Sequence, residues 1–404
     1  MELKILYFCF IIFFFYSVIQ LIYKSEKQLI NAYSFFALEF FVKILLSSLL
    51  VYIFTDTIVN YNESLKVLYI SFVFLFSIWA GFSLDKPAIF LLKRSGIFFV
   101  STKGTRWLYS HLKLVAMIFI IIALILYIFM MFKGGGDLLW ITNSRYAYQH
   151  HREGVGTFYV FSQTLLYIAY IIYLYKMRKK SIIRITVTTI IFLVIFYFFG
   201  SKRSMLTLML IGVVYYSYFV RRLNLVKLFL VFILLIILFL FSQILYSNLG
   251  LNGSLNYFTY FDNMVLFLVK NPSFEFMNGG NFLSGAWGVV PRELYPDKPH
   301  VYGSAYITEF IYPGMPEKGH YLGVLPWAVY YLDFGFIGVF IGGFLTGISL
   351  KYIQKLFKYN KNIFVFILFI NYAISNIMKF VPTMVLFLLI ILFINFLRLK
   401  LRSD

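Results

Sequence analysis

Apolar runs of about 20 residues recur along the chain, parted by short basic or polar breaks. A helix needs about 20 apolar residues, at ~1.5 Å each, to cross a hydrocarbon core of ~30 Å. Eleven windows approach that length, roughly 3–22, 33–54, 66–84, 112–132, 157–175, 182–199, 205–220, 228–246, 326–349, 362–379 and 381–398. The pattern predicts an all-α polytopic membrane protein with about 11 transmembrane helices, within a range of 10–12. Residues 1–404 read as a single integral membrane domain without an internal repeat. No cleavage site follows the first run, so it is read as a retained span. Three polar breaks are long: 85–111, 133–156 and 247–325. The last holds six of the nine prolines and is predicted to contain short helices. Irregular backbone cannot face lipid, because unpaired peptide groups cost several kcal/mol there. That loop must lie in water, in a protein-lined cavity or at the interface.

Composition agrees with the pattern. Hydrophobic residues make up 61% of the chain and charged ones 13%, against about 25% charged in soluble domains. The formal net charge of +20 would suit nucleic acid if the cations formed one patch. Instead they sit in short clusters between apolar runs, so nucleic-acid binding is not expected. Lys86, Lys93, Arg94, Lys103 and Arg106 lie in 85–111, and Lys176, Arg178, Lys179 and Lys180 form a second cluster. Arg221, Arg222 and Lys227, the run from Lys351 to Lys361, and the tail from Arg398 to Arg402 complete the set. The positive-inside rule puts these in the cytoplasm. The 55–65, 133–156 and 247–325 loops then face outward, with the N-terminus outside and the C-terminus inside. Cys9 is the single cysteine, which excludes an intramolecular disulfide and a cysteine metal cluster.

Against that charge bias, Gly200-Ser201-Lys202-Arg203-Ser204 stands between two cytoplasmic clusters. About forty residues separate those clusters, enough helix for two crossings. The turn therefore reaches the outer side and brings Lys202 and Arg203 with it. A tight turn with snorkelling cations is the structural alternative to an anion clamp. In the 133–156 loop, Arg145 follows the apolar stretch Leu138–Ile141 and is a second candidate cation. His150 and His151 are adjacent, so they point apart and make a poor metal pair; no metal is expected. In the long loop, Pro291, Pro296 and Pro299 stiffen the chain around Arg292. Arginine suits bidentate phosphate recognition, although Glu293, Asp297 or Glu309 could instead pair with it. His320 and Glu309 are candidate bases for a hydroxyl. Within the spans, Glu39 and Lys43 lie four apart on one helical face and can pair. Asp333 and Lys379 lie near outer span ends, where they are expected to reach water.

Three segments carry a resemblance. They are Gly200-Ser201-Lys202-Arg203-Ser204 opening an apolar helix, the run Val290 to Pro299, and Leu332-Asp333-Phe334-Gly335-Phe336-Ile337-Gly338 leading into a glycine-rich span. In this order, with the eleven-span layout, they resemble the Wzy-type O-antigen and capsular repeat-unit polymerases. The resemblance implies a multi-span glycosyltransferase of GT-C-like architecture in the cytoplasmic membrane of a bacterium, needing no cofactor. Its donor would be a growing glycan on undecaprenyl pyrophosphate, and its acceptor a hydroxyl of an incoming lipid-linked repeat unit. The bilayer, a flippase and a chain-length regulator would be its partners. Arg203 and Arg292 would clamp the pyrophosphate, and His320 or Glu309 would act as base. Arg145, Lys202, Glu293, Tyr295 and Lys298 would bind substrate. An O-antigen ligase-like transferase shares most of these features and differs in acceptor. A lipid-linked oligosaccharide flippase is the non-enzymatic alternative.

Overall fold

A computed structural model describes residues 2–24, 30–41, 43–44, 60–85, 105–135, 138–151, 154–177, 181–224, 259–284, 295, 303–316, 321–359, 361 and 363–373. Among these residues all regular structure is helical. In chain order the helices are α1 (Glu2–Lys24), α2 (Ala32–Phe41), α3 (Tyr61–Ser83), α4 (Thr105–Gly134), α5 (Leu139–Thr142), α6 (Ser144–His150) and α7 (Gly156–Lys176). They continue with α8 (Ile182–Tyr197), α9 (Lys202–Phe219), α10 (Tyr260–Lys270), α11 (Gly280–Ser284), α12 (Ser304–Ile311), α13 (Ala328–Tyr359) and α14 (Ile363–Ala373). Five described helices are long and apolar enough to cross a membrane: Leu3–Ile22, Tyr61–Ser83, His111–Gly134, Gly156–Lys176 and Ala328–Tyr359. They coincide with five of the expected windows. The windows 228–246 and 381–398 lie outside the described residues. The long polar loop does contain short helices, α10, α11 and α12.

The chain forms two compact units. The first joins residues 1–90 to 243–355. Its third helix starts where Asn60 accepts hydrogen bonds from the backbone N–H groups of Asn62 and Glu63, satisfying donors that a helix start leaves open. Helix α1 packs on α2 and α3 through aromatic rings: Phe14 stacks on Phe41 at 4.1 Å, and Phe13 meets Phe72, Phe76 and Trp79. Polar side chains pair inside this layer. Tyr33 Oη donates to Ser17 Oγ at 2.8 Å, Trp79 Nε1 to Gln20 Oε1 at 2.8 Å and Trp327 Nε1 to Ser71 Oγ at 2.9 Å. Glu39 and Lys43 pair at 2.6 Å, as their spacing predicts. Beyond the end of α3, Asp85 meets Lys355 at 2.6 Å and Lys351 at 3.4 Å. The Lys355 hydrogen bond holds its carboxyl below the ordinary carboxylate range.

Glycines set the approach of α3 to α13. A Cβ on Gly347 would overlap the Ile78 carbonyl and the Phe82 amide, and one on Gly81 would overlap the Phe344 carbonyl. Without a strong hydrophobic drive in lipid, such small-residue contacts are what hold spanning helices together. Gly347→Ala should therefore destabilise by about 1–3 kcal/mol, the usual cost of overpacking. Alanine in an uncrowded helix interior instead gains about 1 kcal/mol over glycine. Gly156→Ala is the control: nothing lies within 4 Å of a Cβ there, and as the first residue of α7 it gains less than an interior position would. Thermal midpoints of the two variants in detergent should move in opposite directions, or the second should stay still; a stabilised Gly347→Ala would refute the close contact.

The second unit joins residues 91–242 to 356–404. Its centre is α7, which packs on α4, α8, α9 and α14. Ser162 Oγ donates to Ala123 O of α4 at 2.6 Å, and Tyr170 Oη pairs with Thr189 Oγ1 of α8 at 2.7 Å. At another place Phe219 of α9 packs edge-on against Phe366, and Tyr218 against Phe357 and Phe369.

Candidate functional site

The turn between α8 and α9 is buttressed by side chains from several helices of the second unit. Gly200 has φ of 62°, a left-handed conformation that other side chains rarely adopt. Each of four successive carbonyls accepts from a side chain of a different residue. Ser144 Oγ donates to Tyr197 O at 3.0 Å, and Tyr127 Oη to Phe198 O at 3.1 Å. Tyr159 Oη donates to Phe199 O at 3.3 Å, and Arg145 Nη1 to Gly200 O at 3.2 Å. Those donors come from α4, α6 and α7, so the turn is fixed from three sides. Behind it, Tyr167 Oη donates to Ser204 O at 2.9 Å.

The next residues open α9. Ser201 is its N-cap, with its side chain accepting from Ser204 N. Ser204 Oγ donates to Gln163 Oε1 at 3.0 Å. The Gln163 amide nitrogen is buried and has no partner among the described residues. Lys202 and Arg203 therefore sit in the first helical turn, one step past the turn in which the sequence pattern set them. This matters electrostatically. A helix N-terminus is already positive, and a cation there costs about 0.3–1 kcal/mol. Here two cations stand on it with Arg145 beside it. Arg203 is exposed and forms no salt bridge with a carboxylate among the described residues. A helix N-terminus that carries cations on its first turn has the chemistry to receive an oxyanion.

In the first unit the structure places Glu309 on α12, where both carboxylate oxygens accept from Gly314 N at 3.1 Å. Glu309 thus also holds the Pro313-Gly314 turn. Thr308 Oγ1 accepts from Leu322 N at 2.9 Å, and Asn263 Nδ2 donates to Gly323 O at 2.9 Å. These bonds bring the segment just after His320 onto α12 and α10. Tyr295 is exposed. Arg292, Glu293, Lys298 and His320 lie outside the described residues, as does Lys379, and of Lys202 only the backbone is described.

One expectation is overturned. Asp333 does not reach water; it is 2% exposed. Its Oδ1 accepts from Asn281 N at 2.8 Å and its Oδ2 from Phe282 N at 2.9 Å. The cause is a break in α13 at Phe334 and Gly335, whose backbone leaves the helical region. The break takes the Leu332 and Asp333 carbonyls out of the helical ladder, and Met277 N and Asn278 N bind them at 2.9 and 3.1 Å. The segment Leu332–Gly338 is thus a latch for the long loop.

Sequence reasoning missed the residues that hold the arginine turn: Tyr127, Ser144, Tyr159, Tyr167 and Gln163. One signal was available. Ser162-Gln163-Thr164 is a polar triplet inside an apolar run, and polar groups within a span must find partners.

No family model matches the chain, and no solved structure matches it. It is similar to two curated proteins named O-antigen polymerase, one from Salmonella typhimurium and one from Salmonella typhi. Each is 29% identical over 119 residues, or 28% of this chain and 29% of the relative. The chain thus aligns with less than a third of the length of either relative. Together with its long apolar helices, this likeness places the chain among multi-pass membrane proteins distantly similar to O-antigen polymerases.

Proposed function

We propose that the chain polymerises oligosaccharide repeat units carried on a polyprenyl pyrophosphate, at the outer face of the cytoplasmic membrane. The observation that carries this reading is the meeting of Arg145 with the turn that presents Lys202 and Arg203. The likeness to O-antigen polymerases supports it. In the reaction the anomeric C–O bond to pyrophosphate breaks, and an acceptor hydroxyl oxygen bonds to that carbon. The hydroxyl proton passes to a base, and polyprenyl pyrophosphate departs. Charge grows on the leaving phosphate as the bond breaks, and fixed cations that meet it there lower the barrier. Arg203 supplies the exposed guanidinium and Arg145 a second one that also fixes the turn; Arg292 is a further proposed clamp residue. His320 or Glu309 takes the proton. Glu309 keeps acceptor lone pairs beyond those facing Gly314 N, so it can take a proton and still hold that turn. Lys202, Glu293, Tyr295 and Lys298 are the proposed substrate-binding residues.

Deleting the gene tests the reading. The expected product is surface glycan capped with single repeat units. Loss of all surface repeats would indicate a flippase, and accumulation of long lipid-linked polymer would indicate a ligase.

A further inference from the structure

Helix α11 is built inside out. Its polar side chains are buried, Asn281 at 4% and Ser284 at 3% exposed, while Phe282 and Leu283 each stand 71% exposed. A short helix on a water-washed loop buries its apolar residues and shows its polar ones. The reversal is imposed by a rigid frame. Asp333 accepts from the Asn281 and Phe282 amides, Asn281 Nδ2 donates to Val329 O at 2.8 Å, and Ser284 Oγ donates to Asn281 O at 2.7 Å. The polar atoms are consumed in holding the helix, and the two large apolar side chains are held outward.

The frame also sets the position of α11 along α13. Asp333 lies just before the break at Phe334-Gly335. Beyond the break, exposed apolar residues follow at helical spacing: Ile337 at 71%, Ile341 at 51% and Leu345 at 56%. On a helix long and apolar enough to span, such a stripe is the lipid-facing side. Phe334, 51% exposed, stands at the head of the stripe, and its ring tip lies 3.4 Å from the Cβ position of Gly279. The loop therefore meets α13 at the end of its lipid face. Residues 276–291 hold no charged side chain, so nothing in that stretch resists a low-dielectric setting.

We infer that α11 is an interfacial anchor whose Phe282 and Leu283 insert among the lipid acyl chains of the leaflet at the Asp333 end of α13. Amphipathic segments of this kind lie with their apolar face in the headgroup–acyl boundary. The anchor would fix the middle of the loop at the membrane surface, eight residues before Arg292. The inference does not depend on the proposed reaction.

Single cysteines test it directly. Cys9 is exposed and is the only cysteine, so Cys9→Ala gives a clean background. Cysteines at Phe282, Leu283, Ile337 and Ser273 are labelled with an environment-sensitive nitrobenzoxadiazole. The protein is then placed in phosphatidylcholine–phosphatidylglycerol nanodiscs free of polyprenyl lipid. The hydrogen bonds that frame α11 use its backbone and other side chains, so substitution at 282 or 283 leaves the frame intact. Labels at 282 and 283 should match that at 337: blue-shifted emission, strong quenching by doxyl lipid and at least tenfold less quenching by iodide than at 273. Quenching by iodide at 282 and 283 equal to that at 273 would overturn the anchor. So would a label shielded from iodide yet untouched by doxyl lipid, which would mean a protein covers the pair. Shielding that appears only when a polyprenyl phosphate is added would assign the surface to an isoprenoid chain and overturn it equally.

Discussion

Arg203→Ala is expected to leave surface glycan capped with single repeat units while the protein accumulates in the membrane at its normal level. Removing one preorganised group that meets developing charge typically costs about 10²–10³ in rate, or ~3–4 kcal/mol. Arg203 is exposed and makes no salt bridge with a carboxylate among the described residues, so its loss strands no buried partner. It also removes a cation from a positive helix pole, which slightly favours the helix. Activity and stability should therefore separate in this variant. Arg203→Lys keeps the charge but loses the planar fork, and should fall between wild type and alanine. The measurement is the length distribution of surface glycan in a deletion strain carrying each variant, at matched protein levels. A wild-type ladder from Arg203→Ala would sink the clamp. Arg145 offers a contrast, because its guanidinium also supports the Gly200 carbonyl. Its alanine variant should lose activity and some thermal stability together.

Asp333→Ala is expected to be among the most destabilising single changes in the first unit. The buried carboxylate accepts two backbone N–H groups of α11. Hydrogen bonds to charged groups contribute about 1.5–3 kcal/mol each, and unmade buried donors add a desolvation cost. A loss of about 3 kcal/mol or more follows. Asp333→Asn retains one acceptor oxygen but turns an amide NH₂ toward the other N–H, so it should recover only part of the loss. Thermal midpoints in detergent measure the total. Limited proteolysis localises it, since released α11 should be cut between residues 271 and 284 before the rest of the chain. An Asp333→Ala protein with wild-type midpoint and cleavage pattern would show that the latch is dispensable.

Much of this molecule is local in origin and was legible residue by residue. Five windows found by apolar length became long helices. Glu39 and Lys43 pair because four residues make one helical step. The start of α9 lies at Lys202, three residues before its apolar window, because a left-handed glycine and a capping serine open the helix ahead of the apolar run. Asp333 shows where local reading fails. Near the end of an apolar run, a carboxylate is expected to reach water, because burial without partners is costly. The partners exist, but they are backbone amides about fifty positions away on another segment. Backbone donors carry no residue signature, so no pattern in the sequence could announce them.

The candidate site divides in the same way. The sequence by itself determined that Lys202 and Arg203 break the charge bias, that Arg145 sits beside an apolar stretch, and that proline stiffens the chain near Arg292. It also determined the helical class, since apolar runs of about 20 residues match a spanning helix, whereas a spanning strand needs only about ten. Only the tertiary structure decided that Arg145 reaches the Gly200 carbonyl, that three hydroxyls hold the preceding carbonyls, and that α11 turns its apolar side chains outward. The physical reason is range. Helix length and capping are set by neighbours within a few residues, whereas Tyr127 and Phe198 meet across 71 positions and Arg145 and Gly200 across 55. Side-chain bonds to distant carbonyls leave no periodic trace in a chain; they exist only once the helices have packed.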